Sequence, residues 1–511
     1  MPTYESINLH PQTHPPSSLQ TKTYDVICLG SGWAGRVIAA RCVAAGMTAL
    51  VIEKELVGGD CPFWACVPSK ALLRPAEALD ESRHVMGARE RLTSPDVPVD
   101  AEAVFRRRDQ FTAGWDDSVI PVPLVINSGA DLVRGFATVT GVKKVRVTLN
   151  DAEVVDLEAR HAVAICTGSE PIIPNIPGLA EAKPWTPRDA ASSSFAPETL
   201  FVIGGGVVGA EMAQIYQSLG SSVVMASRSS EILPGFDAEA GKIVREKLIS
   251  RGSRILTSAT VTKVERKSPG GPLTVTVSSG GETTEIPATE ILVATGRKAI
   301  TKGLGLDSLG LDPAAVEAGK PVSVDDSLLM TGVSSNADIP WLYAAGDVNG
   351  RAMLTHTSKY QGRIAGNAIV ARAAGKFPST PSRFDSVSAS ADHTAVPQVV
   401  FTDPQIASVG LTRKAAEKAG KGVKIVTAPA ATLGAKLHAD GYEDGWAQWV
   451  IDDSTGVLLG ATFVGTAVAD LLHASTVAVV GGLKLELLVH AIPSFPTMSE
   501  VYLNLLDAAG Y

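Results

Sequence analysis

Two glycine-rich turns of the same design, one opening at Gly30 and one at Gly204, constrain this chain more than anything else in it. The first follows the apolar run 25–29 and reads Gly30-Ser31-Gly32-Trp33-Ala34-Gly35. Residues 36–45 then read as a helix, and a second apolar run, 49–52, ends on Glu53. Strand, glycine turn, helix, strand and acid are the parts of a dinucleotide-binding βαβ unit. In it Gly30 makes the tight turn, Gly32 lets the backbone approach a pyrophosphate, and Gly35 lets the helix pack on the sheet. The helix N-terminus attracts the phosphates, and Glu53 accepts from a ribose 2′-hydroxyl. A lone GxGxxG is a weak signal; the flanking strands and the acid make this one specific.

The theme returns after the apolar run 200–203 as Gly204-Gly205-Gly206-Val207-Val208-Gly209, with a helix over 210–219 and a strand over 222–226. Comparing the registers is informative. Gly30 to Glu53 is 23 positions, and Gly204 plus 23 lands on Ser227, followed by Arg228. A carboxylate there would repel a 2′-phosphate, whereas Ser227 with Arg228 would bind one. The second site is therefore read as preferring NADPH; the competing reading is an ordinary surface arginine and NADH.

Between the two turns lies GGDCPFWACVPSK, residues 58–70. A five-residue helical step separates Cα atoms by roughly 8–9 Å, and a disulfide needs less than about 7 Å. If Cys61 and Cys66 pair, Cys61 sits just outside the regular helix, with Pro62 in a first helical position. A helix N-terminus also stabilises a thiolate. The plainer reading is two unpaired core cysteines, but the Gly-Gly and Pro-Ser-Lys flanks are not core-like. The whole chain has five cysteines in 511 residues. So odd and low a count argues against a secreted disulfide scaffold and for a redox pair in a reducing compartment.

The net charge of −8 excludes a nucleic-acid footprint, and no apolar run approaches the ~20 residues of a membrane span. Residues 1–22, rich in Pro, Ser, Thr and His, read as a disordered tail and not as a signal peptide. They contain no Arg, which leaves a mitochondrial transit peptide the weaker reading and a cytoplasmic location the preferred one. Thr167-Gly168, before a proline-rich bend, and Thr295-Gly296 read as matching domain crossings. Asp347 ends a strand beside a helix, where it can bind a cofactor hydroxyl. Residues 376–396 read as a linker, and 397–511 as alternating strands followed by helices.

Taken together, these motifs make the chain resemble, over about residues 24–510, the class I pyridine nucleotide-disulfide oxidoreductases. That family includes dihydrolipoamide dehydrogenase, glutathione reductase and mercuric reductase. The resemblance implies an α/β protein with two Rossmann-like dinucleotide-binding domains, one for FAD and one for NAD(P), plus a C-terminal α+β dimerisation domain and an antiparallel homodimer. The corresponding boundaries are 23–178 and 297–375 for the FAD domain, 179–296 for the NAD(P) domain and 397–511 for dimerisation. Cys66 is then the thiol beside the flavin, and Cys61 the interchange thiol that meets the acceptor. Lys70 lies near the flavin and pairs with Glu211; the other reading of Lys70 and Glu211 is two unrelated surface charges. Asp347 binds the ribityl or pyrophosphate region, and Gly59, Thr167, Gly168 and Gly296 join the glycines above as cofactor contacts.

The chain departs from the family at its C-terminal His-Pro-Thr-x-Ser-Glu motif, which here reads Phe495-Pro-Thr-Met-Ser-Glu500. Phenylalanine cannot take a proton, so a dithiol acceptor loses an effect of about 10²- to 10⁴-fold. Glu500 is left with nothing to orient, and Phe495 dries the acceptor pocket beside Cys61. His490 is the candidate replacement, or else a surface histidine. A mercuric reductase normally adds a C-terminal cysteine pair; no cysteine follows Cys166 here, which argues against Hg(II). No cluster has metal-ligand spacing, and no metal is expected. Three functions follow: a flavoenzyme passing electrons from NADPH through the Cys61–Cys66 pair to a small-molecule acceptor, an NAD(P)H:quinone or diaphorase-type reductase that bypasses the cysteines, and a non-catalytic flavin-bound sensor or scaffold.

Overall fold

In a computed structural model, residues 6–511 are described except 12–18, 20, 95, 151, 334, 339, 439, 441, 443 and 444. The first sheet places five strands in parallel: Asp131–Gly141, β2 (Ala49–Glu53), β1 (Thr23–Leu29), Val154–Ile165 and Leu342–Ala344. An antiparallel strand, Lys144–Leu149, bridges the extended ends of Asp131–Gly141 and Val154–Ile165. β1 and β2 are almost wholly buried, as strands covered on both faces must be. A second parallel sheet runs in the order Glu290–Val293, Thr199–Ile203, Ser222–Ala226, Arg254–Leu256. A short antiparallel pair, Ser169–Pro171 with Arg297–Ala299, ties the outgoing and returning crossings together. The C-terminal five-stranded antiparallel sheet packs under the helices Val468–Gly481 and Val501–Ala509.

The two glycine turns have the same steric cause. A Cβ on Gly30 (φ +105°) would come within 2.3 Å of the Cys166 carbonyl oxygen, and one on Gly204 (φ +115°) within 2.4 Å of the Ala294 carbonyl oxygen. At Gly35 and Gly209 the added carbon would meet the carbonyl oxygens of Gly30 and Gly204 at 2.1 and 2.0 Å. The helices α1 (Trp33–Ala44) and Val207–Ser218 start directly from these turns.

The structure differs from the sequence reading at the tail and the linker. Of the tail, residues 1–5, 12–18 and 20 fall outside the described residues. The described part packs: Ile7 and Leu9 sit on a cluster of Leu56, Phe63, Trp64 and Trp115, and the His10 Nδ1 bonds the Lys54 carbonyl at 2.8 Å. Residues 376–396 are not a free linker either. Val387, Ala389 and Ala395 are buried, and the Tyr360 hydroxyl donates to the Ser388 carbonyl while accepting from the Ala391 N–H. Their Ser and Pro content satisfies turns, while the apolar residues between them reach the core.

The loop leading into the cysteine stretch is fixed by a buried ion pair. Arg134 donates through both terminal nitrogens to Asp117 at 2.9 Å, and Asp117 also accepts from the Val57 N–H at 2.6 Å. Both side chains are almost fully enclosed. Removing one partner of such a pair leaves an uncompensated charge. Asp117→Ala is therefore expected to cost about 3–5 kcal/mol, read as a lowered denaturant midpoint at unchanged slope; a shift below about 1 kcal/mol would remove the pair from the fold's foundations.

Candidate active site

The polypeptide breaks its helix between the two cysteines. α2 (Asp60–Phe63) is a single turn, Trp64 and Ala65 leave helical geometry (Ala65 φ −133°, ψ −100°), and α3 (Cys66–His84) begins at Cys66 itself. Cys61 thus lies off the regular helix. Pro62 is the third residue of α2 and not its first. Both thiols are reduced here and lie within hydrogen-bond reach of each other. The Cys66 thiol is held well below the ordinary value by the hydrogen bond from Cys61, aided by the Thr355 hydroxyl at 3.2 Å and the Lys70 charge. Cys61 moves the opposite way, because its proton is shared toward Cys66 and it is buried. The first thiolate formed is therefore Cys66, at a helix N-terminus that favours negative charge.

Lys70 lies on α3 one turn beyond Cys66. Its Nζ is 2.7 Å from Glu211 Oε2, and Glu211 Oε1 accepts from the Phe401 N–H at 2.9 Å. Glu211 is enclosed by the helix Val207–Ser218, and the Lys70 ammonium also stands 4.7 Å from the Phe401 ring centre. Two charges 141 positions apart in sequence are thus brought into one contact.

A cavity of about 740 Å³ opens in front of these groups, walled by Gly32, Glu53, Cys61, Cys66, Lys70, Glu211, Gly168 and Asp347 among others. Glu53 accepts from the Ser31 N–H at 2.9 Å and hydroxyl at 2.7 Å, which aims it at the end of β2. Gly59 (φ +73°) lays its backbone against Gly32. Asp347 accepts from the Ser169 hydroxyl at 2.6 Å, and burial raises its carboxyl. Thr167 closes the crossing by donating to the Ile300 carbonyl at 2.7 Å. A Cβ placed on Gly32 meets no protein atom within 4 Å, so the turn faces open space. Glycine backbone, a helix N-terminus, two carboxylates and a cavity of this size fit FAD.

Other expected residues lie elsewhere. Gly204, Gly206, Gly296, Ser227 and Arg228 lie in the turns that follow strands of the second sheet, Gly209 lies on the helix Val207–Ser218, and none of them walls this cavity. Gly206, like Gly32, faces open space. Ser227 is buried against Gly205, and Arg228 beside it is exposed. Phe495 is 71% exposed and, within one chain, does not touch the cavity it was expected to dry. Glu500 is not idle as expected: it accepts from the Gly434 N–H at 3.1 Å. His490 is at the surface.

Several residues that shape the site carry no local signal in the sequence. Asp60 is clamped by Arg188 at 2.8 Å and by Arg297 from the returning strand. Thr355 reaches Cys66 across 289 positions. Only the tertiary fold makes these pairs.

Residues 24–362 match the family described as pyridine nucleotide-disulphide oxidoreductase, and residues 396–505 match its dimerisation domain. This chain belongs to that family. Among curated relatives, the dihydrolipoyl dehydrogenase of Rhizobium etli is 32% identical over 507 residues, covering 96% of this chain and 98% of the relative. That of Thermus scotoductus is 32% identical over 490 residues, covering 96% and 97%. Among solved structures, the HOCl-induced flavoprotein disulfide reductase RclA from Escherichia coli shares the fold, with a TM-score of 0.75 at 22% identity over 95% of this chain and 99% of that one. Members of the family are enzymes that use FAD and NAD(P)H. No described helix is long and apolar enough to cross a membrane, and no group of three metal-ligating side chains is found among the described residues.

Thr355→Val removes one donor to the Cys66 thiolate. It is expected to raise the pH midpoint of Cys66 alkylation in the reduced protein by about one unit, or ~1.4 kcal/mol. A series of iodoacetamide labelling rates against pH measures it, and an unmoved midpoint would exclude the hydroxyl from thiolate stabilisation.

Proposed function

We propose that this protein passes electrons from NADPH, by way of FAD, to the Cys61–Cys66 pair and from there to a small-molecule acceptor. The observation that carries the reading is that one cavity brings together the Gly32 turn, the Lys70–Glu211 pair and both sulfurs. FAD, when bound, supplies the two-electron relay between nicotinamide and disulfide. The chain's own groups do the rest. Ser227 and Arg228 recognise the 2′-phosphate of the donor, and Glu211 holds the Lys70 charge where electron-rich groups gather. The α3 N-terminus and Thr355 keep Cys66 as the thiolate, and Cys61 is the thiol that meets the acceptor. In each cycle the disulfide gains two electrons and one proton to become the Cys61 thiol and the Cys66 thiolate, and the acceptor takes the two electrons as the disulfide closes again and the proton is released.

Phe495 supports a further restriction. With no imidazole at that position, acceptors whose reduced form leaves as a stable anion lose less than a dithiol does. Phe495 also motivates the second reading, a quinone or diaphorase-type reductase that bypasses the sulfurs; turnover of quinones that survives Cys61→Ala would favour it. We take the assembly to be a homodimer through the C-terminal domain. The matching dimerisation domain supports this, as do the exposed apolar side chains Leu487, Val489, Ile492 and Phe495.

Anaerobic NADPH is expected to produce a long-wavelength absorbance band in the purified yellow protein that is missing in Cys66→Ser. A wild type without the band would take the cysteines out of the electron path. Arg228→Leu is expected to lower the ratio of kcat/KM for NADPH over NADH by about 10- to 100-fold, the worth of a charged hydrogen bond; an unchanged ratio in steady-state assays would leave the preference unsupported.

A further inference from the structure

One aromatic ring beside the outlet thiol carries two cations, neither of which forms an ion pair among the described residues. Trp33 is the first residue of α1, and its side chain walls the cavity. The Arg36 guanidinium, one turn on, stands 4.2 Å from the ring centre, and the Lys359 ammonium stands 3.7 Å from it. The Trp33 indole neighbours the Cys61 thiol, and the Arg36 guanidinium lies within electrostatic reach of both Cys61 and Glu53.

Lys359 comes from a different element, the helix Thr355–Ala373. It lies one turn beyond Thr355, and residues four apart on a helix share a face. Thr355 touches Cys66, so that face leads from the sulfur pair to Lys359. The two helices can approach because Gly362 has no Cβ; one there would fall 2.9 Å from the Ala34 carbonyl oxygen.

Among the described residues neither Arg36 nor Lys359 forms an ion pair, although Arg188 and Arg297, which wall the cavity, both do. Arg36 is only 8% exposed, and its Nε has no hydrogen-bond partner. Stacking on an aromatic face offsets only part of such a charge's desolvation. Lys359 walls the cavity and is half-enclosed, and the enclosed Arg36 adds positive charge at the same ring, so the ammonium is the group placed to receive an anion.

We infer that the electron acceptor carries an anionic group, a carboxylate, sulfonate or phosphate, that docks on Lys359 beside the Trp33 ring and so presents its reducible atom to Cys61. This rests on the reading that electrons leave through Cys61. A phosphate of bound FAD offers the same oxyanion chemistry, and the test separates the two sources.

The holoenzyme is assayed at saturating NADPH with two disulfides whose products leave without proton assistance: the dianion 5,5′-dithiobis(2-nitrobenzoate) and the neutral 4,4′-dithiodipyridine. The ratio of kcat/KM, dianion over neutral, is expected to fall about tenfold in Lys359→Gln and further in Lys359→Glu. In the wild type the dianion's kcat/KM is expected to drop as NaCl rises while that of the neutral disulfide stays flat. A ratio that stays within about twofold in both variants would overturn the inference. So would a flat salt profile in the wild type, or variants that release FAD from the purified protein without changing the ratio, which would assign the stack to the cofactor's phosphate. The wild type's band with NADPH reports separately on the route through the cysteines. If it forms and the ratio does not move, only the anion site is lost.

Discussion

The break in the helix at Trp64 and Ala65 is the constraint on which the site depends. Had α2 run straight into α3, the two sulfurs would stand apart on one rod and Cys66 would lose its place at a helix start. The break costs helical hydrogen bonds, and the surroundings offset that cost. Trp64 and Phe63 bury in an aromatic cluster with Trp115, whose indole N–H donates to the Phe63 carbonyl at 3.2 Å. Cys66 then gains unsatisfied N–H groups, the Thr355 hydroxyl and the Lys70 charge together.

The two glycine turns show how one steric device serves two different tasks. Both force a carbonyl of the next crossing against a missing Cβ, and both leave their second glycine facing open space. What distinguishes them is the residue at the end of the following strand: a carboxylate, Glu53, in one and a buried serine beside an exposed arginine in the other. The backbone device is shared, and the side chain at the strand end is where the two turns differ.

Much of this was legible in the sequence wherever a rule acts over short range. The glycine spacings, the register comparison that lands on Ser227, and the argument that Cys61 must leave the helix all rest on local geometry. The pairing of Lys70 with Glu211 came from motif position alone. Residues 6–11 and 376–396 were misread because composition reports solubility and not packing: Ile7, Leu9, Val387 and Ala389 are few, but each finds a hydrophobic surface. Phe495 was placed beside Cys61 by analogy with a motif; in one chain it is a surface residue. Thr355, Arg188, Arg297 and Lys359 had no signal to find, because their partners arrive from distant segments and charge–aromatic contacts leave no periodicity.

Asp60 stands immediately before Cys61 and is gripped from two sides. Arg188 reaches it from the segment that precedes the second parallel sheet, and Arg297 reaches it from the strand that leaves that sheet. The Cys61 turn is thereby tied to both crossings that flank the second parallel sheet, so Cys61 keeps its place only while that sheet keeps its own.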